Sequence, residues 1–515
     1  MAIQHDRHGS RSIYRHKMTI AWFILIVLVC FTVVFYASFS SGAYSLVHER
    51  SPLKLWGEFD GGEETVPRPM AITGNLLHAG RPTAGDDRNK LKDTMNRTHL
   101  HAVEERFLKL RKSLDTEDLE SGFKKERQLK ALENSASFSK LETVFKNILL
   151  KQKTLRIGVS GGSISTGARV GGMNCYAAKL KNNLEEALGT KVEIFNGAVG
   201  ATGSLFHTYC MGNFLNLTEL DILLWECCVN DYLYNYGCSP QEEYTRKVLQ
   251  VANGPQLVYV NFVTGFQFNS CQSNVDSCSK PLSAHYNVPS LDMKVALCDL
   301  IERGEAAIFA SPVDHCHPSV QYHSLVGNIL TRMFGNVLLR VIQRMTNTSH
   351  SQSADNQRKR MSIPSPLLNT TKLKSTQCWA TVRAQTGNSN PLVPIMMSGW
   401  HGNSTGGDQA RVDKKNFWES TEPNSTIKFK IDITPYEHEK AHIVMGFMTC
   451  DGCGQVTAWL DEDESTATVV KTDFRWGTSQ VYILRTGVKP GVHTITLRKE
   501  TAAGIRIVAI ATGFN

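Results

Sequence analysis

A serine, and a histidine with an aspartate three residues before it, are the residue types in this sequence that could support nucleophilic chemistry. Ser163 follows Gly161-Gly162 at the end of an apolar run, and Asp314 precedes His317 by three positions. A serine hydroxyl becomes a nucleophile when a histidine takes its proton and an acidic group orients that histidine. We therefore predict Ser163 as the nucleophile, His317 as the base and Asp314 as the group that holds the base.

The same chemistry requires hydrogen-bond donors for the negative charge that develops on the attacked oxygen. Gly200 lies in a glycine-rich segment after one apolar run, and Asn230 follows the next apolar run. We expect the backbone N–H groups of Ser163 and Gly200 and the side-chain amide of Asn230 to be these donors. Ala201 or Gly203 is the alternative to Gly200.

Two neighbouring residues are predicted to have no direct part in the chemistry. His315 has no aspartate three residues before it, so we expect it not to act as the base. Glu226 ends a strand-like run and is expected to be buried or hydrogen-bonded near that strand end, rather than in contact with a substrate. Nucleophilic serine chemistry uses no metal ion or other cofactor, and the sequence predicts none.

Residues 151–345 alternate short apolar runs with helix-compatible stretches, which indicates βαβ units and a parallel sheet with helices on both faces. The predicted strands are Leu155–Val159, Val192–Phe195, Ile222–Trp225, Leu257–Phe262 and Ala306–Ala310. The predicted helices are Tyr176–Leu188, Glu242–Ala252, Met293–Arg303 and Tyr322–Met345. Reactive groups gather at the carboxyl ends of the strands in such sheets. Ser163, Asn230 and Asp314 each follow a predicted strand, so we expect them to meet at one edge.

The pattern changes in the C-terminal third of the chain. Residues 346–376 are polar and contain two prolines, which predicts a linker. Residues 377–515 contain regularly spaced strand-like runs without helices between them, which predicts a β-sandwich or jelly roll. Its aromatic residues could stack on a sugar, but side chains at strand spacing more often belong to the core. The residues concerned are Trp459, Trp476 and Tyr482.

The N-terminus predicts a membrane anchor. Residues 18–39 form an apolar run of about 20 residues, the length that crosses a bilayer as a helix. Basic residues precede this run, so the positive-inside rule keeps the tail 1–17 in the cytoplasm and places the rest of the chain across the membrane. A cleaved signal peptide is the alternative. Residues 40–150 are expected to be a stem and a charged helical region, either solvated or packed on the domain that follows.

Glycosylation sequons and cysteines agree with a secretory location. Six Asn-x-Ser/Thr sequons lie beyond the apolar run, at Asn96, Asn216, Asn347, Asn369, Asn403 and Asn424. Of the 13 cysteines one lies in the apolar run, which leaves an even number for an oxidising compartment. Cys271 and Cys278 are spaced to close a small loop, and Cys450 and Cys453 are expected to form a local disulfide.

The charge pattern excludes nucleic acid as a partner. The net charge is +8, and lysine and arginine alternate with aspartate and glutamate through most of the chain. A nucleic-acid-binding surface would need a basic stripe with aromatic residues between the charges, and the sequence contains no such stripe.

Taken together and in order, the sequence blocks resemble those of the SGNH (GDSL-type) esterase superfamily, whose members carry Ser, Gly, Asn and Asp-x-x-His in succession. Here Ser163, Gly200, Asn230 and the pair Asp314/His317 match these blocks within residues 154–335. The usual Gly-Asp-Ser is Gly-Gly-Ser here, a variant associated with eukaryotic, glycan-related members, and Cys228 replaces a glycine of the third block. The resemblance implies a flavodoxin-like, three-layer α/β/α domain with carboxylic ester hydrolase activity.

The sequence thus indicates a type II membrane protein with a lumenal or extracellular serine esterase domain, in the Golgi, elsewhere in the secretory pathway or at the cell surface. We expect it to remove acyl groups, above all acetyl, from glycans or related esters. The alternatives are an O-acyltransferase that uses the same serine, an esterase for lipid esters, and a glycan-binding protein without activity. Its expected partners are an acylated glycan and the membrane, and its oligomeric state is not predicted.

Overall fold

The computed structural model describes most of the chain from Gly85 onward. The described residues are 85–120, 138–264, 278–314, 316–347, 363–368, 373–381, 390–404, 416–437, 439–474 and 477–514, with Phe123, Arg127, Ala131 and Leu132. The predicted cytoplasmic tail and membrane segment lie outside these residues, as do Cys271, His315, Trp476 and most of the predicted linker.

A parallel β-sheet forms the centre of the N-terminal part. Within the described residues it has five strands in the order β2-β1-β3-β4-β5. The strands are β1 Leu155–Gly161, β2 Val192–Asn196, β3 Ile222–Glu226, β4 Gln256–Asn261 and β5 Ser290–Asp292. This is the flavodoxin-like order, and it has its switch point between β1 and β3. The flavodoxin-like parallel sheet expected from the family resemblance is therefore confirmed.

Helices connect these strands and extend before and after them. They are α1 Gly85–Glu120, α2 Ser139–Lys151, α3 Ser163–Thr166, α4 Tyr176–Leu188, α5 Ser204–Phe214, α6 Cys228–Tyr234, α7 Ser239–Gln250, α8 Ser279–Tyr286, α9 Met293–Glu302 and α10 Val320–Asn347. All four predicted helices are present, with ends that differ by at most three residues. The helix that begins at Ser163, α3, agrees with the strand-to-helix turn expected there, whereas the short helices α5, α6 and α8 were not predicted from the sequence.

The helices cover both faces of the sheet. Successive strand residues point to opposite faces, so Val159 and Val258 belong to the apolar cluster that contains α4 and α10. Trp225 and Tyr259 belong to the second cluster, which contains residues of α5 and α7. Both clusters are fully buried around the strands. The three-layer arrangement follows from this alternation.

One predicted strand is wrong. Residues Glu305–Phe309 form a 3₁₀ helix, and the fifth strand of the sheet is the short β5. In the predicted run only Ala306 and Phe309 are buried, while the residues between them are exposed. That spacing of three fits one face of a helical turn, whereas a strand would bury every second residue.

Helix α1 is part of the folded unit rather than a solvated stalk. Its residues Phe107, Leu110 and Leu114 are buried together with Ala187 of α4. The Arg106 side chain donates to the Ala187 and Leu188 carbonyl oxygens at 3.2 and 3.0 Å. Of the two alternatives for this region, a solvated stem and a packed helix, the structure shows the packed helix.

In the described part of the chain, one helix, α10, is long and apolar enough to cross a membrane. Its most apolar stretch is 83% buried inside the protein. Residues such as Leu330, Phe334 and Leu338 are fully buried against the sheet and its helices. This helix therefore serves as the core helix of the α/β part.

The C-terminal part is a β-sandwich, as the strand pattern predicts. Its described strands form antiparallel sheets in the orders β13-β12-β15-β10-β7 and β14-β11-β16-β9-β8, with β6 paired to β16. Phe429 and Leu497 of one sheet and Met445 and Ile507 of the other lie in one buried cluster. The strands are β6 Ser375–Ala380, β7 Pro394–Ser398, β8 His401–Ser404, β9 Asn416–Ser420, β10 Thr426–Ile433, β11 Ala441–Met448, β12 Gln455–Leu460, β13 Asp463–Lys471, β14 Ser479–Val488, β15 Gly491–Lys499 and β16 Ile505–Phe514.

The sandwich packs on the face of the α/β part that α5 covers. A disulfide joins Cys210 of α5 to Cys378 of β6. The Tyr209 hydroxyl lies 2.7 Å from Nε2 of His442 on β11, and both side chains are buried. The Lys247 ammonium of α7 donates to the Thr208 carbonyl oxygen of α5 at 2.8 Å and also to the Thr376 hydroxyl of β6 in the sandwich. These contacts hold the middle of α5 against the sandwich.

The other disulfides differ in part from the sequence prediction. Cys450 and Cys453 form the expected local disulfide. Cys278 pairs with Cys238, so its expected closure of a loop with Cys271 is wrong. Four of the described cysteines are free thiols. The even number of cysteines beyond the apolar run therefore does not mean that all of them pair in disulfides. The free thiols are Cys175, Cys227, Cys228 and Cys316.

The packing of α1 on α10 predicts opposite effects for two glycine-to-alanine substitutions. A Cβ at Gly335 would lie 1.7 Å from the Phe107 ring, whereas a Cβ at the helical Gly212 would meet nothing within 4 Å. Gly335→Ala should lower the free energy of unfolding by about 1–3 kcal/mol through overpacking. Gly212→Ala should raise it by up to about 1 kcal/mol through helix propensity. Urea unfolding of both variants measures this, and equal effects of the two would contradict the packed position of α1.

Candidate active site

Ser163 lies where the central strand β1 turns into the short helix α3. The Gly162 backbone N–H donates to the Glu226 carbonyl oxygen at 3.1 Å, which continues the pairing of β1 with β3 to the serine. A Cβ at Gly162 would lie 2.2 Å from Nδ2 of Asn230. Glycine at this position therefore allows the Asn230 amide to lie directly beside the nucleophile candidate.

Asp314 and His317 lie on the loop before α10, at the same end of the sheet. The loop is closed by a pairing of Ala310 with Pro318 and by a 2.6 Å hydrogen bond from the Ser311 N–H to the His317 carbonyl oxygen. Within it, Oδ1 of Asp314 accepts the backbone N–H groups of Cys316 and His317, both at 3.0 Å. The carboxylate is thus held by its own loop.

The structure brings the three predicted catalytic residues into one hydrogen-bonded chain. Nδ1 of His317 lies 2.8 Å from Oδ2 of Asp314, and Nε2 of His317 lies 2.8 Å from Oγ of Ser163. A carboxylate can only accept, so the hydrogen of the neutral imidazole belongs on Nδ1. Nε2 is then the acceptor for the Ser163 hydroxyl, which is the arrangement that a general base requires.

Asp314 is ionised in this arrangement. Burial acts to raise the pKa of its carboxyl, but the hydrogen bonds from His317, Arg169 and the Cys316 backbone outweigh it and hold that pKa well below the usual range. The Arg169 guanidinium donates through Nε to Oδ2 at 2.7 Å. Sequence reasoning did not identify Arg169, because a single arginine after a serine turn carries no recognisable pattern.

The predicted donors for an oxyanion lie beside Ser163. Ser163 is the first residue of α3, and the first backbone N–H groups of a helix have no partner within it. Nδ2 of Asn230 donates to the Thr202 carbonyl oxygen at 2.6 Å, and its second hydrogen remains for a substrate oxygen. The loop that contains Gly200 is held against β1, because the Val199 N–H donates to the Gly161 carbonyl oxygen at 2.9 Å.

The alternatives to Gly200 have other functions in the structure. Gly203 precedes α5, and a Cβ there would lie 2.6 Å from Oδ1 of Asp231. The Ala201 carbonyl oxygen accepts the backbone N–H of Ser479 on β14, and Ala201 has a left-handed φ of 52°. These contacts involve the Ala201 carbonyl oxygen and the Cα of Gly203 rather than a backbone N–H, so Gly200 stays the donor that the family resemblance predicts.

Buried carboxyl groups support the loop behind these donors. Glu226, predicted to be buried near its strand end, is 2% exposed, and burial raises its pKa to about 8. Its Oε2 accepts the Ser165 hydroxyl at 3.2 Å. Asp231 accepts the Ser204 backbone N–H at 2.7 Å and the Ser204 hydroxyl, and burial raises its pKa to about 7. Through these hydrogen bonds the two carboxyl groups hold in place the segments that carry Ser163 and the proposed oxyanion donors.

His207 of α5 is a second residue that sequence reasoning missed. Its imidazole is fully buried, and burial lowers its pKa to about 4, so it is neutral. Nε2 lies 3.0 Å from the Gly161 carbonyl oxygen and 2.9 Å from the Thr202 hydroxyl. Because a carbonyl only accepts, Nε2 carries the hydrogen. His207 thereby links the end of β1 to the loop whose carbonyl group orients Asn230.

Another histidine near the site, His323 of α10, belongs to the core. It is fully buried on α10, and its Nδ1 accepts the Tyr176 N–H at 3.3 Å. Burial lowers its pKa to about 3, so it does not compete with His317 as a base. Among the residues that the structure describes, no group of three or more His, Cys, Asp or Glu side chains is placed to hold a metal ion.

The aromatic residues of the sandwich are divided between core and surface. Trp459 is 8% exposed, and the Arg498 guanidinium lies 5.3 Å from its ring centroid. Tyr482 is half-buried and packs against the sandwich core at 5.9 Å from the Phe447 ring. Tyr482 therefore belongs to the core, whereas Trp459 lies on the face of β12 opposite the core residues Val456 and Ala458 and is covered by Arg498.

Two solved structures share this architecture. Both are of a two-domain esterase active on acetylated mannans, one of them co-crystallised with mannopentaose. The co-crystal structure is 18% identical to this chain with a TM-score of 0.53, and the other is 19% identical with a TM-score of 0.54. Each comparison covers 75% of this chain and 98% of the esterase.

At these identities the likeness concerns the fold. It shows that this chain shares the fold of that two-domain esterase, in agreement with the α/β part and the C-terminal β part that the sequence predicts. No family model matches the sequence, and no curated protein matches it. The roles of Ser163, His317, Asp314, Gly200 and Asn230 therefore rest on their geometry in this chain.

The contact between Gly162 and Asn230 makes a testable prediction for the oxyanion donors. Asn230→Ala should lower the rate of Ser163-dependent chemistry by about 10²–10³-fold, the usual cost of losing one such donor. Gly162→Ala should have a similar effect, because its Cβ displaces the same amide. The double variant should therefore lose little more than either single variant. Steady-state kinetics checks this, and additive losses would show that the two residues act separately.

Proposed function

We propose that this chain is a serine esterase that removes acyl groups, above all acetyl, from glycans or related esters. The observation that supports it most strongly is the unbroken chain from Asp314 through His317 to Oγ of Ser163, with both contacts at 2.8 Å. Glycans are the proposed substrate class because the two-domain esterase that shares this fold acts on acetylated mannans.

In the proposed reaction, Oγ of Ser163 attacks the ester carbonyl carbon while Nε2 of His317 takes the hydroxyl proton. Asp314 stabilises the imidazolium that forms, and the developing oxyanion accepts hydrogen bonds from Ser163, Gly200 and Asn230. The tetrahedral intermediate then expels the sugar hydroxyl, which receives the proton from His317. Water, deprotonated by the same histidine, then attacks the acyl carbon; the bond to Oγ of Ser163 breaks, the carboxylic acid leaves, and His317 returns the proton to Oγ.

We also propose that the N-terminal segment crosses a membrane once and that the catalytic part lies on its lumenal or extracellular side, in the secretory pathway or at the cell surface. The Cys210–Cys378 and Cys238–Cys278 disulfides support an oxidising compartment. Glycans attached at the sequons would be tolerated at the exposed side chains of Asn216, Asn347, Asn403 and Asn424. Asn96 lies in α1, and Asn369 lies outside the described residues, so these two stay sequence predictions.

The esterase proposal is tested by hydrolysis of an aryl acetate and of acetylated mannan by the full-length protein. We expect activity in the wild type and losses of at least about 10³-fold in Ser163→Ala and in His317→Ala. His315→Ala is the matched control, because it removes the neighbouring histidine that has no aspartate three residues before it. It should keep most of the activity.

Three results would contradict the proposal. The first is a folded wild type that hydrolyses neither substrate. The second is activity that survives Ser163→Ala, which would show that the chemistry occurs elsewhere. The third is a larger loss in His315→Ala than in His317→Ala, which would identify the other histidine as the base.

A further inference from the structure

The Arg169 side chain occupies an unusual position on the catalytic carboxylate. Its Nε donates at 2.7 Å to Oδ2 of Asp314, the same oxygen that lies 2.8 Å from Nδ1 of His317. The other oxygen, Oδ1, is already occupied by the two backbone N–H groups of the loop. From the residues that the structure describes, Asp314 therefore accepts four hydrogen bonds, of which the one from Arg169 alone comes from outside residues 314–317.

The backbone is shaped to bring Arg169 to this place. The turn after α3 closes through a 2.7 Å hydrogen bond from the Gly171 N–H to the Gly167 carbonyl oxygen. Arg169 itself has φ of 71°, a left-handed conformation that is rare for residues with a side chain. Such strained residues persist where the surrounding structure holds them, and they cluster at functional sites. The strain and the contact with Asp314 point to the same conclusion.

A permanent charge at this position affects the base. A guanidinium is always protonated, whereas His317 gains a positive charge only when it takes the Ser163 proton. Both cations would then share one carboxylate oxygen. A nearby like charge disfavours the charged form of an ionisable group. Arg169 should therefore keep the imidazole neutral, and able to accept a proton, at pH values where an isolated Asp–His pair would already be charged.

The other described ionisable groups around His317 are neutral near pH 7 or lie behind the serine. On its own loop, burial raises the pKa of the Cys316 thiol to about 11. On α10, burial lowers the pKa of His323 to about 3. Behind Ser163, burial raises the pKa of Glu226 at the end of β3 to about 8. Arg169 and Asp314 are then the charged partners that these described elements offer to His317.

We propose that Arg169 is a positioning residue that fixes Asp314 and keeps His317 uncharged until Ser163 gives up its proton. The proposal rests on the esterase function proposed above, and it extends the Ser163–His317–Asp314 chain by a fourth residue. The Arg169 side chain is 36% exposed, so its replacement should leave the fold intact.

The test compares the full-length wild type with Arg169→Gln and Arg169→Lys. The acid limb of kcat/KM against pH reports the base of the free enzyme. In Arg169→Gln this limb should move to higher pH by about 0.5–1 unit, the shift that one half-exposed charge at this range produces. Arg169→Lys should restore much of the difference, and high ionic strength should reduce it. A merely structural role would lower kcat/KM at every pH without moving the limb.

A second measurement does not depend on activity. Carbethoxylation of His317 by diethyl pyrocarbonate requires the neutral imidazole, and peptide mass spectrometry reads its rate at each pH. The inflection for His317 should move upward in Arg169→Gln by the same amount as the acid limb. An unchanged inflection would overturn the proposal even in an active enzyme. A shifted inflection without Ser163-dependent hydrolysis would uphold Arg169 and reject the esterase function.

Discussion

The imidazole of His317 has to reach a carboxylate on one side and a serine hydroxyl on the other, and the rest of the α/β part is arranged around this requirement. Ser163 and His317 are 154 positions apart in the chain, yet their side chains are 2.8 Å apart. Parallel strands make this possible, because every strand ends at the same edge and its following loop begins there. The turn after β1 supplies the serine, and the loop before α10 supplies the histidine with its aspartate.

The β-sandwich contributes to the same arrangement from the opposite side. The Cys210–Cys378 disulfide links it covalently to α5. In addition, the backbone N–H of Ser479 on β14 donates to the carbonyl oxygen of Ala201 and so holds that residue in place. The loop between β2 and α5 is thus held at Ala201 and through the helix that follows it. His207 fixes it from within, since its buried ring contacts both Gly161 and Thr202. The donors proposed for the oxyanion therefore belong to a rigid frame built from both parts of the chain.

Much of this frame was predictable from the sequence, and the reasons differ between elements. Strands β1, β3 and β4 are runs of almost fully buried and mostly apolar residues between turn residues, so their pattern alone identifies them. The residues Ser163, Asn230 and Asp314/His317 follow strand-like runs in the order that the family resemblance implies. The run at Ala306–Ala310 was misread because all of its residues are apolar, and a short apolar run does not distinguish a strand from a helical turn before burial is known.

The remaining features depend on contacts that no local pattern contains. Some residues meet their partners only when the chain has folded. Arg169 and Cys238 are far in sequence from Asp314 and Cys278, and the contact of His207 with the nearby Thr202 follows no recognisable sequence pattern. The packing of α1 was equally open, because its buried face at Phe107 and Leu110 would suit any apolar partner. Short strands such as β8, whose residues are all exposed, have no apolar alternation to reveal them.

The most direct test of this account is the reaction of the full-length protein with a fluorophosphonate, which modifies only a serine activated by a base. Peptide mass spectrometry should find the label on Ser163, with a rate that falls by about 10³-fold or more in His317→Ala. Labelling of Ser163 at the same rate in both proteins would contradict activation by His317. Absence of label from a folded wild type would contradict the assignment of Ser163 as the nucleophile.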